Sequence, residues 1–212
     1  MSEADAAREE RKAELRRRMR SMRKSLPPDA VAASASAAAD LLDPLPFVAA
    51  ARRVGLYAPV RAEIPTTVVD RRLRARGVEL YYPRVDAREA RLIFHRVDDP
   101  GAMRPGQFEV PEPDPLAPFA DLGEIDVVLV PGMAFDASGA RLGYGLGMYD
   151  RVLQVRGPGV LVGFCYDFQL VTEVPAASED RPVAWVVTDH RVVEASSIPA
   201  QVAGVSRARG GD

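Results

Sequence analysis

The run Ile125-Asp-Val-Val-Leu-Val130, followed at once by Pro131-Gly132, constrains this chain more than any other segment. Its last four residues are apolar without alternation, the pattern of a strand covered on both faces. Such strands sit inside parallel sheets that carry helices above and below. The neighbouring segments agree. Short β-type runs at Arg53–Tyr57, Val78–Tyr82, Leu92–Val97, Val160–Phe164 and Ala184–Val187 alternate with helical patterns. One helical stretch covers Thr66–Arg76 and stops at Gly77. Another, Ala-rich, covers Asp29–Leu42 and closes at Asp43-Pro44. The expected fold is three-layer α/β: an open, mostly parallel, Rossmann-like sheet with helices on both faces. Residues 1–195 are expected to form one domain and 196–212 a disordered tail. Between Val97 and Glu124, six prolines (100, 105, 111, 113, 115 and 118) predict a surface connection or lid without regular elements.

At the N-terminus a helix is expected from about Ala6 to Ser25, ended by Pro27-Pro28. Leu15, Met19, Met22 and Leu26 recur at helical spacing and form one apolar stripe. Lys12, Arg16 and Arg23 border that stripe, with Arg20 slightly further round. Pattern alone leaves two readings open: a solvated basic face, or charges at the rim of whatever the helix covers. Residues 8–24 carry nine Lys or Arg against three Glu, a local charge of +6. The overall charge is −2, so the rest of the chain carries −8. A polyanionic ligand at this end therefore remains open. Nucleic acid is not expected as a partner, because the segment has no aromatic residue for base stacking and the remainder is acidic.

Residue counts narrow the chemistry. One cysteine, Cys165, excludes a disulfide framework and a cysteine-based metal centre. Two histidines, His95 and His190, disfavour Ser-His-Asp hydrolysis and a histidine-rich metal site; both read as structural. No segment approaches the ~18 apolar residues of a membrane span. The reading is a cytoplasmic, monomeric protein that acts on small molecules, with no membrane association.

Chemistry concentrates after the buried strand. Val130-Pro-Gly-Met-Ala-Phe-Asp136 leads into Arg141-Leu-Gly-Tyr-Gly-Leu-Gly-Met-Tyr-Asp150. In open α/β sheets, ligands sit at the carboxyl ends of strands. Gly143, Gly145 and Gly147 let the backbone approach an anion and aim N–H groups at it, and a helix beginning near Gly147 would add its positive end. Arg141 can clamp a phosphate, and Asp150 can give magnesium a hard oxygen ligand. A glycine-rich turn with no ligand is the alternative; the Walker signature is missing. Read alone, Glu63 is a surface carboxylate and Cys165 a small buried hydrophobe.

Taken together, these motifs resemble the 5-formyltetrahydrofolate cyclo-ligase (methenyltetrahydrofolate synthetase) family. The matching segments are Pro131-Gly-x-x-Phe135-Asp136, Arg141-Leu-Gly-x-Gly-x-Gly-x-Tyr149-Asp150, Lys12-x-x-Leu15-Arg16, Glu63-Ile64 and Phe108-Glu-Val-Pro111-Glu112-Pro113. The resemblance spans about residues 8–190 and implies ATP- and Mg²⁺-dependent ring closure of 5-formyltetrahydrofolate. It implies ATP binding by Lys12, Arg16 and the loop Arg141, Leu142, Gly143, Tyr144, Gly145, Leu146, Gly147, Met148 and Tyr149. Arg141 and Tyr149 would be catalytic. The folate would meet Ala58, Glu63 and the stretch Tyr144, Gly145, Leu146, Gly147 and Met148. Asp150 and Asp180 would hold the metal. The chain departs from the family pattern at Leu146, Met148 and Ala184. A folate or nucleotide binder without turnover is the alternative.

Overall fold

The computed structural model describes residues 3–86, 88–89, 91–145, 147–153, 159–175 and 181–196, with the side chains of Phe108 and Asp150 left out. The expected tail beyond Ser196 lies outside the described residues. Helix α1 (Glu3–Lys24) begins with acidic Glu3 and Asp5 and ends with basic Arg23 and Lys24, each sign favourable to the helix dipole. Helix α2 (Pro28–Leu42) starts with a proline in its first turn, where no N–H is needed, and a short α3 (Pro46–Ala49) follows.

Then come strand β1 (Arg53–Gly55), helix α4 (Thr67–Ala75) and the hairpin strands β2 (Glu79–Asp86) and β3 (Arg91–Arg96). The proline-rich stretch corrects the expectation of an irregular connection. It holds a small hairpin, β4 (Arg104–Pro105) with β5 (Pro111–Glu112), and an edge strand, β6 (Phe119–Ala120), paired to β3. Two-residue strands need few ladder bonds, so a proline within each hairpin strand, Pro105 opposite Pro111, does not forbid them.

The buried run forms β7 (Val127–Val130). The hairpin β8 (Ala134–Phe135) and β9 (Arg141–Leu142) follows, and then helix α5 (Met148–Leu153). Strands β10 (Val160–Phe164), β11 (Trp185–Val187) and β12 (Val192–Glu194) complete the sheet. Its order is β12-β11-β10-β7-β1-β2-β3-β6. The five central strands, β11 to β2, run parallel; β12, β3 and β6 are added at the two sides by antiparallel pairing, each to its inner neighbour.

Alternation along β7 divides the core. Val127 and Leu129 pack with Val54, Leu56 and the apolar faces of α2 and α4. Val128 and Val130 pack on the opposite side with Leu161, Val186 and α5 residues Val152 and Leu153. Both faces are covered, as a continuous apolar strand requires. A third cluster decides what α1 does: fully buried Met19 seats on Met133, Ala134, Leu142 and Val174. The helix thus docks on the β8–β9 hairpin. Cutting Met19 back to alanine would cost about 2–5 kcal/mol. Phe135 lies under the sheet, and a Cβ at Gly132 or Gly163 would come within 2.7 or 2.5 Å of its ring. Asp136 ties the hairpin down by accepting from Ser138, Ala140 and Val174, so its role is structural.

Candidate functional site

β1 leads to β2 on one side, whereas β7 opens the other half of the sheet, so the chain changes direction between β1 and β7. Crevices at such points, beyond the carboxyl ends of the strands, are where open α/β sheets bind ligands. A cavity of about 140 Å³ lies there. Tyr57 and Ala58 line it just after β1, Pro83 and Val85 line it from β2, and Pro131 lines it just after β7. Gln107, Val110 and Glu112 from the β4–β5 hairpin close one side, while Arg141, Gly143, Tyr144 and Gly147–Tyr149 close another.

Glu63 is one of two acidic residues lining the cavity, with Glu112, which pairs with Arg84, and it is buried, contrary to the surface role that its sequence context alone suggested. The reason is local. Arg61 and Ala62 both adopt positive φ, 50° and 57°, and fold the chain back so that Glu63 N–H donates to the Val60 carbonyl at 3.0 Å. Left-handed backbone at non-glycine residues costs about 1–2 kcal/mol each, so the surrounding packing must hold this turn. The carboxylate accepts from Val60 N–H at 3.0 Å and from the Tyr144 hydroxyl at 2.7 Å. Burial raises its pKa; the Tyr144 and Val60 hydrogen bonds and the charges of Arg23 and Arg61 work against that rise.

Three phenols around the cavity are held protonated. Burial, reinforced by the Glu63 charge, raises the pKa of Tyr57, Tyr144 and Tyr149. Tyr149, expected to be catalytic, can thus donate a hydrogen bond but is no base at neutral pH. Arg141 is buried, donates to the Pro131 carbonyl at 3.3 Å and places its guanidinium 5.8 Å from the Tyr149 ring centre.

Helix α1 borders the same loop, which resolves the open reading of its basic edge for two residues. Arg16 Nε donates to the Gly143 carbonyl at 2.9 Å. Arg23, one of the buried residues, donates to the Gly132 carbonyl and to the Tyr144 hydroxyl. Gly145 has φ +99°, where an L side chain is strained, and a Cβ there would sit 3.6 Å from the Arg16 guanidinium.

Other expected site residues fall elsewhere. Lys12 pairs with Glu9 at 3.1 Å and is not among the residues lining the cavity. Leu142 buries its side chain in the cluster under α1, so only its backbone could meet a ligand. Leu146 and Asp180 lie outside the described residues, and Asp150 is described only as backbone within α5. Among the described residues, no three His, Cys, Asp or Glu side chains gather to hold a metal. His95 is buried, with Nδ1 2.9 Å from the Ala117 carbonyl, and Cys165 is a small buried residue, as its sequence context suggests. Sequence reasoning missed the site roles of Arg23, Tyr57 and the 107–112 segment. Arg23 stood at the edge of the apolar stripe, which was the available signal.

Comparison with known proteins gives a consistent answer. The sequence model described as "5-formyltetrahydrofolate cyclo-ligase family" matches residues 8–189. The Saccharomyces cerevisiae 5-formyltetrahydrofolate cyclo-ligase is 30% identical over 197 residues, 82% of this chain and 92% of that protein. The Escherichia coli K12 protein of the same name is 29% identical over 180 residues, 83% of this chain and 99% of its own. The NMR structure of Aquifex aeolicus 5,10-methenyltetrahydrofolate synthetase superposes with TM-score 0.78 at 30% identity, covering 89% of this chain and 95% of that one.

Proposed function

The chain belongs to the 5-formyltetrahydrofolate cyclo-ligase family, and from that premise we propose that it closes 5-formyltetrahydrofolate to 5,10-methenyltetrahydrofolate at the expense of ATP. The observation that carries the reading is one cavity lined by Ala58, Glu63, Arg141, Gly143, Tyr144 and Gly147–Tyr149, at the direction change of the sheet. The reduced folate occupies the apolar part, with Glu63 accepting hydrogen bonds from its ring. The triphosphate lies along the glycine loop, near Arg16 and Arg141.

The chemistry asks for cations and positioning. The formyl group on N5 is an amide, and its oxygen leaves poorly. Transfer of the γ-phosphoryl group to that oxygen releases ADP and makes the oxygen a phosphate leaving group. N10 then attacks the formyl carbon and gives up its proton, the C–O bond breaks, phosphate departs carrying that proton and the five-membered ring closes. Phosphoryl transfer depends on alignment and charge neutralisation more than on a covalent nucleophile. Arg16, Arg141 and the loop N–H groups supply these, and Tyr149 is a neutral donor at the cavity wall. The buried Cys165 and the two histidines have no part in it.

The metal expected with ATP would be held by Asp150 and Asp180, whose hard carboxylate oxygens suit Mg²⁺. When bound, Mg²⁺ neutralises phosphate charge. The test is direct: purified protein incubated with 5-formyltetrahydrofolate, ATP and Mg²⁺ should develop the absorbance of the methenyl product, and omission of ATP should abolish it. Ligand-induced thermal stabilisation without any product from folded protein would instead indicate a non-catalytic binder.

A further inference from the structure

We propose that Arg23 is a positioning residue for the folate pocket, acting through the Tyr144 hydroxyl on Glu63; the proposal rests on the cyclo-ligase reading. Arg23 lies at the end of α1 and is 2% exposed. An arginine at such depth needs partners, and it has them in two different segments. One nitrogen of its guanidinium donates to the Gly132 carbonyl, which also accepts from Gln169 at 2.9 Å. The other donates to the Tyr144 oxygen at 2.6 Å and lies 3.7 Å from Met133 Sδ. The turn after β7 and the glycine loop are thereby held to one fork.

The direction of the hydrogen bonds gives the fork its consequence. Arginine donates and never accepts, whereas a phenol has one hydrogen and two lone pairs. Because the Tyr144 oxygen accepts from Arg23, its hydrogen points to its other partner, Glu63 Oε1, at 2.7 Å. Val60 N–H occupies Oε2 on the far side. Glu63, one of the residues lining the cavity, is then held by two donors, one on each oxygen. Arg16 and Arg23 are two turns apart on one helix face, so α1 grips the loop at Gly143 and Tyr144 together. Arg23 also places a buried positive charge beside a carboxylate whose burial alone opposes ionisation.

The assay is a thermodynamic cycle read by calorimetric binding of 5-formyltetrahydrofolate, with ATP KM measured alongside. Arg23→Lys keeps the charge but has no fork, and Tyr144→Phe removes the hydroxyl while leaving the ring. Each single variant should weaken folate binding about tenfold, the equivalent of one hydrogen bond to a charged group. In the Tyr144→Phe background, Arg23→Lys should cost no more than about twofold, because coupled residues are not additive. A tenfold cost of Arg23→Lys in both backgrounds would make Arg23 mere packing for α1 and overturn the proposal. If the lysine variant does not fold, Arg23→Met, an unbranched apolar side chain beside Met133, takes its place in the cycle. Should neither fold, Tyr144→Phe alone decides, and unchanged folate affinity would refute the relay. Wild-type protein that does not bind 5-formyltetrahydrofolate would instead sink the proposed function.

Discussion

Replacing Glu63 by glutamine separates folding from recognition, because it preserves shape and removes charge. The carboxylate accepts two hydrogen bonds, from Tyr144 and Val60, and is almost wholly buried. A glutamine oxygen can accept only one of them in the same rotamer; its NH₂ group faces the other donor. Charged hydrogen bonds contribute about 1.5–3 kcal/mol and neutral ones about 0.5–1.5 kcal/mol, so the loss within the fold is about 1 kcal/mol per bond. Relief from burying a charge offsets much of that. The net change in stability should lie within about 1 kcal/mol, a shift in Tm of about 2–4 °C for a chain of this size. Substrate loses a charged acceptor without compensation, and folate KM should rise about 10–100-fold with ATP KM nearly unchanged. The pH dependence supplies a second check. A carboxyl whose pKa is raised in the folded state holds its proton more tightly there. Stability from this group is therefore full below the unfolded pKa and is lost as pH rises through the folded one. Glutamine should flatten that slope. Steady-state kinetics and thermal melts between acid and neutral pH read both effects, and an unaltered folate KM in a folded Glu63→Gln protein would show that the Glu63 carboxylate does not hold the folate.

Gly145→Ala puts a Cβ at φ +99° on an exposed loop. The strain, about 1–3 kcal/mol, should be relieved by movement of the loop, so thermal melting should change little while ATP KM rises at least about tenfold; a purely global loss of stability would contradict this. Lys12→Ala should raise the ATP requirement more than the folate requirement, measured as separate KM values, even though Lys12 now pairs with Glu9. Asp150→Ala should weaken use of Mg·ATP and shift the Mg²⁺ activation curve while circular dichroism stays native. An unshifted curve would remove the metal assignment.

The fold was largely legible because its main signal was local. Val127–Val130 announces burial on both faces, and the structure places it between two apolar layers. The helices around it carry their own start and stop signals, such as Pro28 and Gly77. Short-range pattern failed where pairing alone defines an element. The β4–β5 hairpin and β6 are two residues per strand and lie among prolines, so no periodicity could reveal them. For the site, the loop Arg141–Tyr149 was readable from glycine spacing and its place after a buried strand. Glu63 was readable only through the family resemblance and not from its own context, because its burial depends on the left-handed turn at Arg61 and Ala62 and on a tyrosine 81 residues away. Arg23 escaped for a similar reason: a charge at the edge of an apolar stripe turns inward only if its partners, here Gly132 and Tyr144, are waiting there.

In the proposed mechanism the formyl oxygen accepts the phosphoryl group and leaves as phosphate. 5-Formyltetrahydrofolate carrying heavy oxygen in its formyl group tests this most directly, with phosphate analysed by mass spectrometry after turnover with unlabelled ATP. One labelled oxygen is expected in the phosphate for each methenyl product and each ADP formed. Unlabelled phosphate alongside heavy water would contradict it.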